Sequence, residues 1–151
     1  MNTKTLNFAQ LFARLALGTA LLSAVADRFG LYGAPGTPGV SWGDWGHFVQ
    51  YSSMLTPYAS PATSQVLAVI ATSSEILLGI CLILGLKTKL AAVGTCLLMI
   101  VFALSMTFTM GFKAPLGYSV WTSAAAAAFL SGVAVYKWSI DNAFTGSKRT
   151  A

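Results

Sequence analysis

Two ionisable side chains, Arg14 and Glu75, stand inside long apolar runs of this chain. A charge at the centre of a bilayer costs several kcal/mol unless it is paired, hydrated or neutralised. At about 1.5 Å rise per residue, Arg14 lies about 12 Å into its run from Leu6, and Glu75 about 16 Å from the far end of its run at Leu86. An arginine side chain absorbs that difference, so the two are expected to pair between the first and second helices. Such a pair can serve only to fix the register of a bundle. Beside a substrate, the same carboxylate can take and return a proton while the guanidinium sets its charge state. Separate hydration of the two groups is the remaining alternative.

Hydroxyls thicken around this pair: Thr72, Ser73 and Ser74 before Glu75, then Ser105, Thr107 and Thr109, then Tyr118, Ser119, Thr122 and Ser123. Their distribution predicts a polar pocket opening to the outer side, with Tyr118, Thr122, Ser105 and Thr109 as ligand contacts. His47 and Trp45 are expected at its mouth. Membrane-helix hydroxyls also bond back to their own carbonyls, so part of this cluster is silent. His47 can exchange a proton there, or be an exposed interfacial histidine and nothing more. No metal site is expected, because His47 is the one histidine and no cysteine is near it in sequence. Cys81 and Cys96 flank Thr88 at similar distances, which places them at similar depth in a helical hairpin. A dithiol is geometrically open to them, although buried thiols ordinarily act as small inert hydrophobes.

These residues must be positioned by helices in lipid. The chain has 151 residues, 56% hydrophobic and 9% charged, with a mean hydropathy of +0.70. Soluble domains carry about 25% charged residues, so this surface faces hydrocarbon. The expected fold is all-α: one integral membrane domain over 1–151, a four-helix bundle with spans at about 8–26, 62–86, 90–112 and 115–136, each near the length of about 20 residues that a bilayer needs. Ser60-Pro61 reads as a helix start, Pro115 as another, and Gly111 as a stop. Lys87-Thr88-Lys89 allows only a tight turn. The first run resembles a signal peptide ending at Ala24-Val25-Ala26, but Arg14 interrupts it, so a retained helix is expected. In the outer loop 27–60, glycines and prolines make the first half irregular. Ser41-Trp42-Gly43-Asp44 then resembles a capping box, opening a short amphipathic helix that carries Trp45, Phe48, Val49, Ser52 and Leu55 on one face. Ala128 and Gly132 have the small-residue spacing of close helix packing. The basic residues Lys4, Lys87, Lys89, Lys137, Lys148 and Arg149 flank apolar runs and form no patch, which argues against nucleic acid and places both termini in the cytoplasm.

Arg14-Leu-Ala-Leu-Gly18, with a basic residue at Arg28, resembles the first-helix signature of DoxX-like membrane proteins. Glu75-Ile-Leu-Leu-Gly79, followed by Leu82, Gly85-Leu-Lys-Thr-Lys89 and Ala91-Ala92, resembles that family's second signature. The resemblance spans roughly residues 10 to 137, with Val25 where the family often has glycine and with a longer outer loop than its shortest members. It implies a four-helix protein of the bacterial inner membrane, related to small subunits of quinone-linked sulfur oxidation and of oxidative-stress complexes. It also marks Arg14 and Glu75 as family positions. The expected function is therefore a redox-associated subunit that binds a quinone or similar amphiphile, catalytic only within an oxidoreductase complex. A non-enzymatic assembly subunit is the alternative, and a small-solute transporter the third reading. No tightly bound cofactor is expected. The expected partners are the lipid bilayer, a membrane or redox protein, and a second copy of the chain.

Overall fold

The computed structural model describes residues 2–147. Lys148 and Arg149, two of the cations used above for orientation, lie outside the described residues. The elements are α1 (Thr3–Arg28), α2 (Trp45–Leu55), α3 (Pro61–Leu84), α4 (Thr88–Met110), α5 (Lys113–Gly117), α6 (Val120–Ser131) and α7 (Ile140–Ser147). Three of them, α1, α3 and α4, are long and apolar enough to cross a membrane. Their 26, 24 and 23 residues correspond to about 39, 36 and 35 Å, against a hydrocarbon core of about 30 Å.

The helix boundaries follow local chemistry. Asn2 caps α1 through a hydrogen bond from the Lys4 N–H, and Ser60 caps α3 through one from the Thr63 N–H, with Pro61 in the first turn. Gly111 ends α4, as the sequence predicts, whereas α3 ends at Gly85, φ 69°, short of the expected limit at residue 86. Asp44, and not Ser41, caps α2, accepting from the His47 N–H at 2.8 Å. The capping-box reading was therefore displaced by one turn.

The fourth span departs furthest from expectation. Pro115 sits in the short α5, and the chain breaks at Ser119, whose φ is 56°. Helix α6 then runs for 12 residues only, about 18 Å. Beyond Ser131 the backbone leaves the helix, and the Tyr136 hydroxyl donates to the Leu130 carbonyl at 2.9 Å. An aromatic side chain thus satisfies a helix end that a further turn would otherwise have covered.

Helix α1 packs chiefly on α3 and α4 chiefly on α6, with α3 against α4 and α1 against α6 closing the ring. Leu17, Leu21, Leu82, Ala92, Met99, Ala127 and Leu130 fill the core. Phe8, Phe12, Leu77, Leu97, Phe108 and Phe129 point outward and are exposed, an apolar exterior suited to lipid. One end of the bundle carries Lys4, Lys87, Lys89 and Lys137, and is called the lysine end here. The other carries residues 29–60 and is called the loop end.

Close approach sets the register of α1 on α3. A Cβ on Gly18 would lie 2.7 Å from Ile83 Cγ1 and 2.9 Å from the Gly79 carbonyl oxygen. A Cβ on Gly79 would lie 3.1 Å from the Gly18 carbonyl oxygen. The two backbones touch where neither residue has a side chain.

Candidate functional site

That contact decides which charges meet. Arg14 is four residues from Gly18 toward the lysine end, about 6 Å along the axis. Because α3 runs antiparallel, Glu75 is four residues from Gly79 toward the loop end, again about 6 Å. The two charges are therefore about 12 Å apart along the axis, and the expected Arg14–Glu75 pair does not form. Depths counted from the ends of apolar runs missed this, because the glycine contact, not the helix ends, fixes the register.

Glu75 pairs with Arg28 at the last turn of α1. One guanidinium nitrogen donates to Glu75 Oε2 and, at 2.8 Å, to the Thr72 hydroxyl, while the other donates to Glu75 Oε1 at 2.9 Å. Arg28 and Glu75 are each 2% exposed. The arginine is roofed by aromatic rings, with Phe48 of α2 at 3.8 Å and Trp42 at 5.2 Å from the guanidinium carbon. Trp42 meets Phe48 edge-on at 5.3 Å and Tyr51 at 5.9 Å, so the roof is a packed set of rings. Cation–π contact at a desolvated site adds about 2 kcal/mol. Among the described residues, Arg28 Nε is buried with no hydrogen-bond partner, as is Trp121 Nε1.

Asp27, the neighbour of Arg28, builds the roof. Its carboxylate is buried and accepts from the Ser41 N–H at 2.8 Å and the Gly43 N–H at 3.1 Å. Those bonds hold Trp42, which lies between the two donors, over the arginine. Gly43 makes the fold of this loop possible. Its φ is 73°, and a Cβ there would stand 2.4 Å from the Pro35 backbone nitrogen.

Arg14 serves the opposite end and is fully buried. Its Nε donates to the Leu82 carbonyl at 3.0 Å and its amino nitrogens to Ile83 at 3.1 Å and to Lys137 and Trp138 at 3.2 Å each. Gln10 donates to the Lys137 carbonyl at 2.9 Å. Carbonyls in the last turn of a helix lack intrahelical partners and carry partial negative charge, which a cation neutralises. Asp141 completes this end by accepting from the Lys87 N–H, the Thr88 N–H and the Thr88 hydroxyl at 2.7, 2.7 and 2.8 Å. Burial pushes the Asp141 carboxyl up, but the Thr88 and Lys87 donors and the Arg14 charge outweigh it and hold the group below its ordinary range.

The remaining expected site residues are scattered. Thr109 donates to the Ser105 carbonyl at 2.7 Å within α4. Tyr118 and Thr122 are exposed. His47 lies at the surface with Nδ1 2.9 Å from Asp44 Oδ2. The His47 backbone and ring hold the Asp44 carboxyl below its ordinary range. Trp45 stacks on Phe29 at 6.0 Å. Helix α3 ends at Leu84 and α4 begins at Thr88, so the hairpin is centred on residue 86 and sets residues 78 and 94 at similar depth. Cys81 then lies nearer the turn than Cys96 by about 7 Å along the axis. The equal depth expected for the two thiols does not hold.

Four members of the cluster around Glu75 escaped sequence reasoning as site residues: Asp27, Arg28, Trp42 and Phe48. A signal for Arg28 was present. Arg14, Leu17, Leu21, Val25 and Arg28 are all buried on α1 and recur at three- and four-residue steps, so Arg28 continues the core stripe.

A family model described as DoxX matches residues 9–109. No curated protein matches the chain. No solved structure matches it.

Proposed function

The chain belongs to the DoxX family of membrane proteins, and from that footing we propose that it is a redox-associated subunit in which the Arg28–Glu75 pair receives the polar head of a quinone or similar amphiphile. The observation that carries this reading is the buried Arg28 Nε, a charged donor with no acceptor among the described residues, beside a carboxylate and under aromatic rings. A quinone carbonyl accepts from such a donor, and its ring stacks on Trp42 or Phe48. Glu75 supplies a group that gives and takes protons as the ligand is reduced and reoxidised, while a partner protein supplies the electrons. Entry requires α2 to shift, because Phe48 and Trp42 cover the pair.

Thermal unfolding of the detergent-purified protein with a short-chain benzoquinone tests the reading. The quinone is expected to raise the Tm of the wild type. It should do so far less in Arg28→Lys, which keeps the charge but lacks Nε, and not at all in Glu75→Gln. Absence of a shift in the wild type with benzoquinones and naphthoquinones alike, or an undiminished shift in Arg28→Lys, refutes it.

One observation favours a second reading, a non-enzymatic assembly subunit. The pair closes on itself, with both amino nitrogens of Arg28 engaging the two Glu75 oxygens. In that case the ion pair only ties α1 to α3, and co-purification with one stable partner would be the functional signature.

A further inference from the structure

Helix α6 stops short at the lysine end, and a lipid-facing groove of about 650 Å³ opens there. It lies between the first turns of α1 and the end of α6, lined by Leu6, Ala128, Phe129, Gly132, Val133 and Ala134. The lining is apolar, and two lysines stand close to it along the chain. Lys137 follows the lining by three residues, and the bond from Gln10 to its carbonyl fixes its backbone beside α1, one helical turn from Leu6. Lys4 stands in the first turn of α1, and both lysines are exposed.

Among the described residues, these cations meet no ready acid. The chain's four acidic residues are engaged elsewhere: Asp27 by the Ser41 and Gly43 N–H groups, Asp44 by His47, Glu75 by Arg28, and Asp141 by Lys87 N–H and Thr88. An apolar groove open to lipid, with uncompensated cations at headgroup level, fits one class of occupant. We infer that this groove binds an anionic phospholipid, with an acyl chain along Ala128, Gly132 and Leu6 and the phosphate against Lys137 and Lys4. The inference is independent of the quinone reading, which concerns the other end of the bundle.

Native mass spectrometry of the full chain, loaded with phosphatidylglycerol or with phosphatidylcholine of the same acyl chains, tests it. Each lysine near an anionic headgroup contributes roughly fivefold, so phosphatidylglycerol should be retained well over fivefold more strongly than phosphatidylcholine. Lys4→Gln with Lys137→Gln should bring the two lipids close to parity. Gly132→Leu should lower retention of both, and its backbone tolerates a side chain, since a Cβ there meets nothing nearer than 3.5 Å. Three outcomes overturn the proposal: equal retention of the two lipids by the wild type, the same thermal stabilisation by inorganic phosphate alone, or a dimer that Gly132→Leu converts to monomer, which would make a second copy the occupant.

Discussion

Arg14 and Arg28 lie on one stripe of α1 and are both buried, yet each is neutralised differently. Arg14 collects carbonyls at the end of α3 and in the segment after α6, whereas Arg28 meets a carboxylate and two rings. Removing one member of a buried ion pair leaves an uncompensated charge and costs about 3–5 kcal/mol, while replacing both with apolar groups is often close to neutral. Arg28→Met and Glu75→Met are each expected to lower stability by about that amount in detergent, and the double substitution to recover most of the loss. Denaturant titration of the four proteins gives the coupling directly, and additive losses would mean that the two side chains do not act as a pair. At this scale the sequence disclosed that Arg14 and Glu75 needed partners, because charges in apolar runs must be satisfied. It did not disclose which partners. Main-chain carbonyls are identical at every residue, so the cage around Arg14 leaves no mark in the sequence of Leu82, Ile83 and Trp138.

Among the elements, the α1–α3 crossing matters most, since the glycine contact holds Arg14 and Glu75 on opposite sides of it. Gly18→Ala puts a methyl group 2.9 Å from the Gly79 carbonyl oxygen and closer still to Ile83. Overpacking of that kind costs about 1–3 kcal/mol. Thermal or denaturant unfolding should show that loss for Gly18→Ala, and stability equal to wild type would mean that the helices do not cross there. Element boundaries were readable where a single residue imposes them, as at Ser60-Pro61 and Gly111. The fourth span was not readable in this way. Its composition stays apolar through Tyr136, and the break at Ser119 is a left-handed turn by a residue type with no special claim to one. The Tyr136 hydroxyl, which closes the far end of α6, is supplied by the fold beyond the helix itself.

Across the whole molecule, α1, α3, α4 and α6 alternate in direction, so the start of α1, the α3–α4 turn and the segment before α7 share the lysine end. Lys4, Lys87, Lys89 and Lys137 lie there, against Arg28 and Lys113 near the loop end, and that Lys/Arg bias predicts a cytoplasmic location for the lysine end. In a variant lacking Cys81 and Cys96, a membrane-impermeant maleimide should label Thr37→Cys on intact spheroplasts, and Lys89→Cys only after permeabilisation. The reverse pattern would invert the topology. What the sequence settled unaided is the solvent and the number of apolar runs, since a chain this poor in charge cannot cover a water-facing surface. It also marked the residues that must not meet lipid unpaired. Only the tertiary structure decided how those residues are paired. Register between helices comes from where backbones touch, and a shift of a few residues moves a charge by many ångströms along the axis. The loop end shows the same dependence, because Asp27 becomes a clasp and Trp42 a roof only once the chain has folded back over α1.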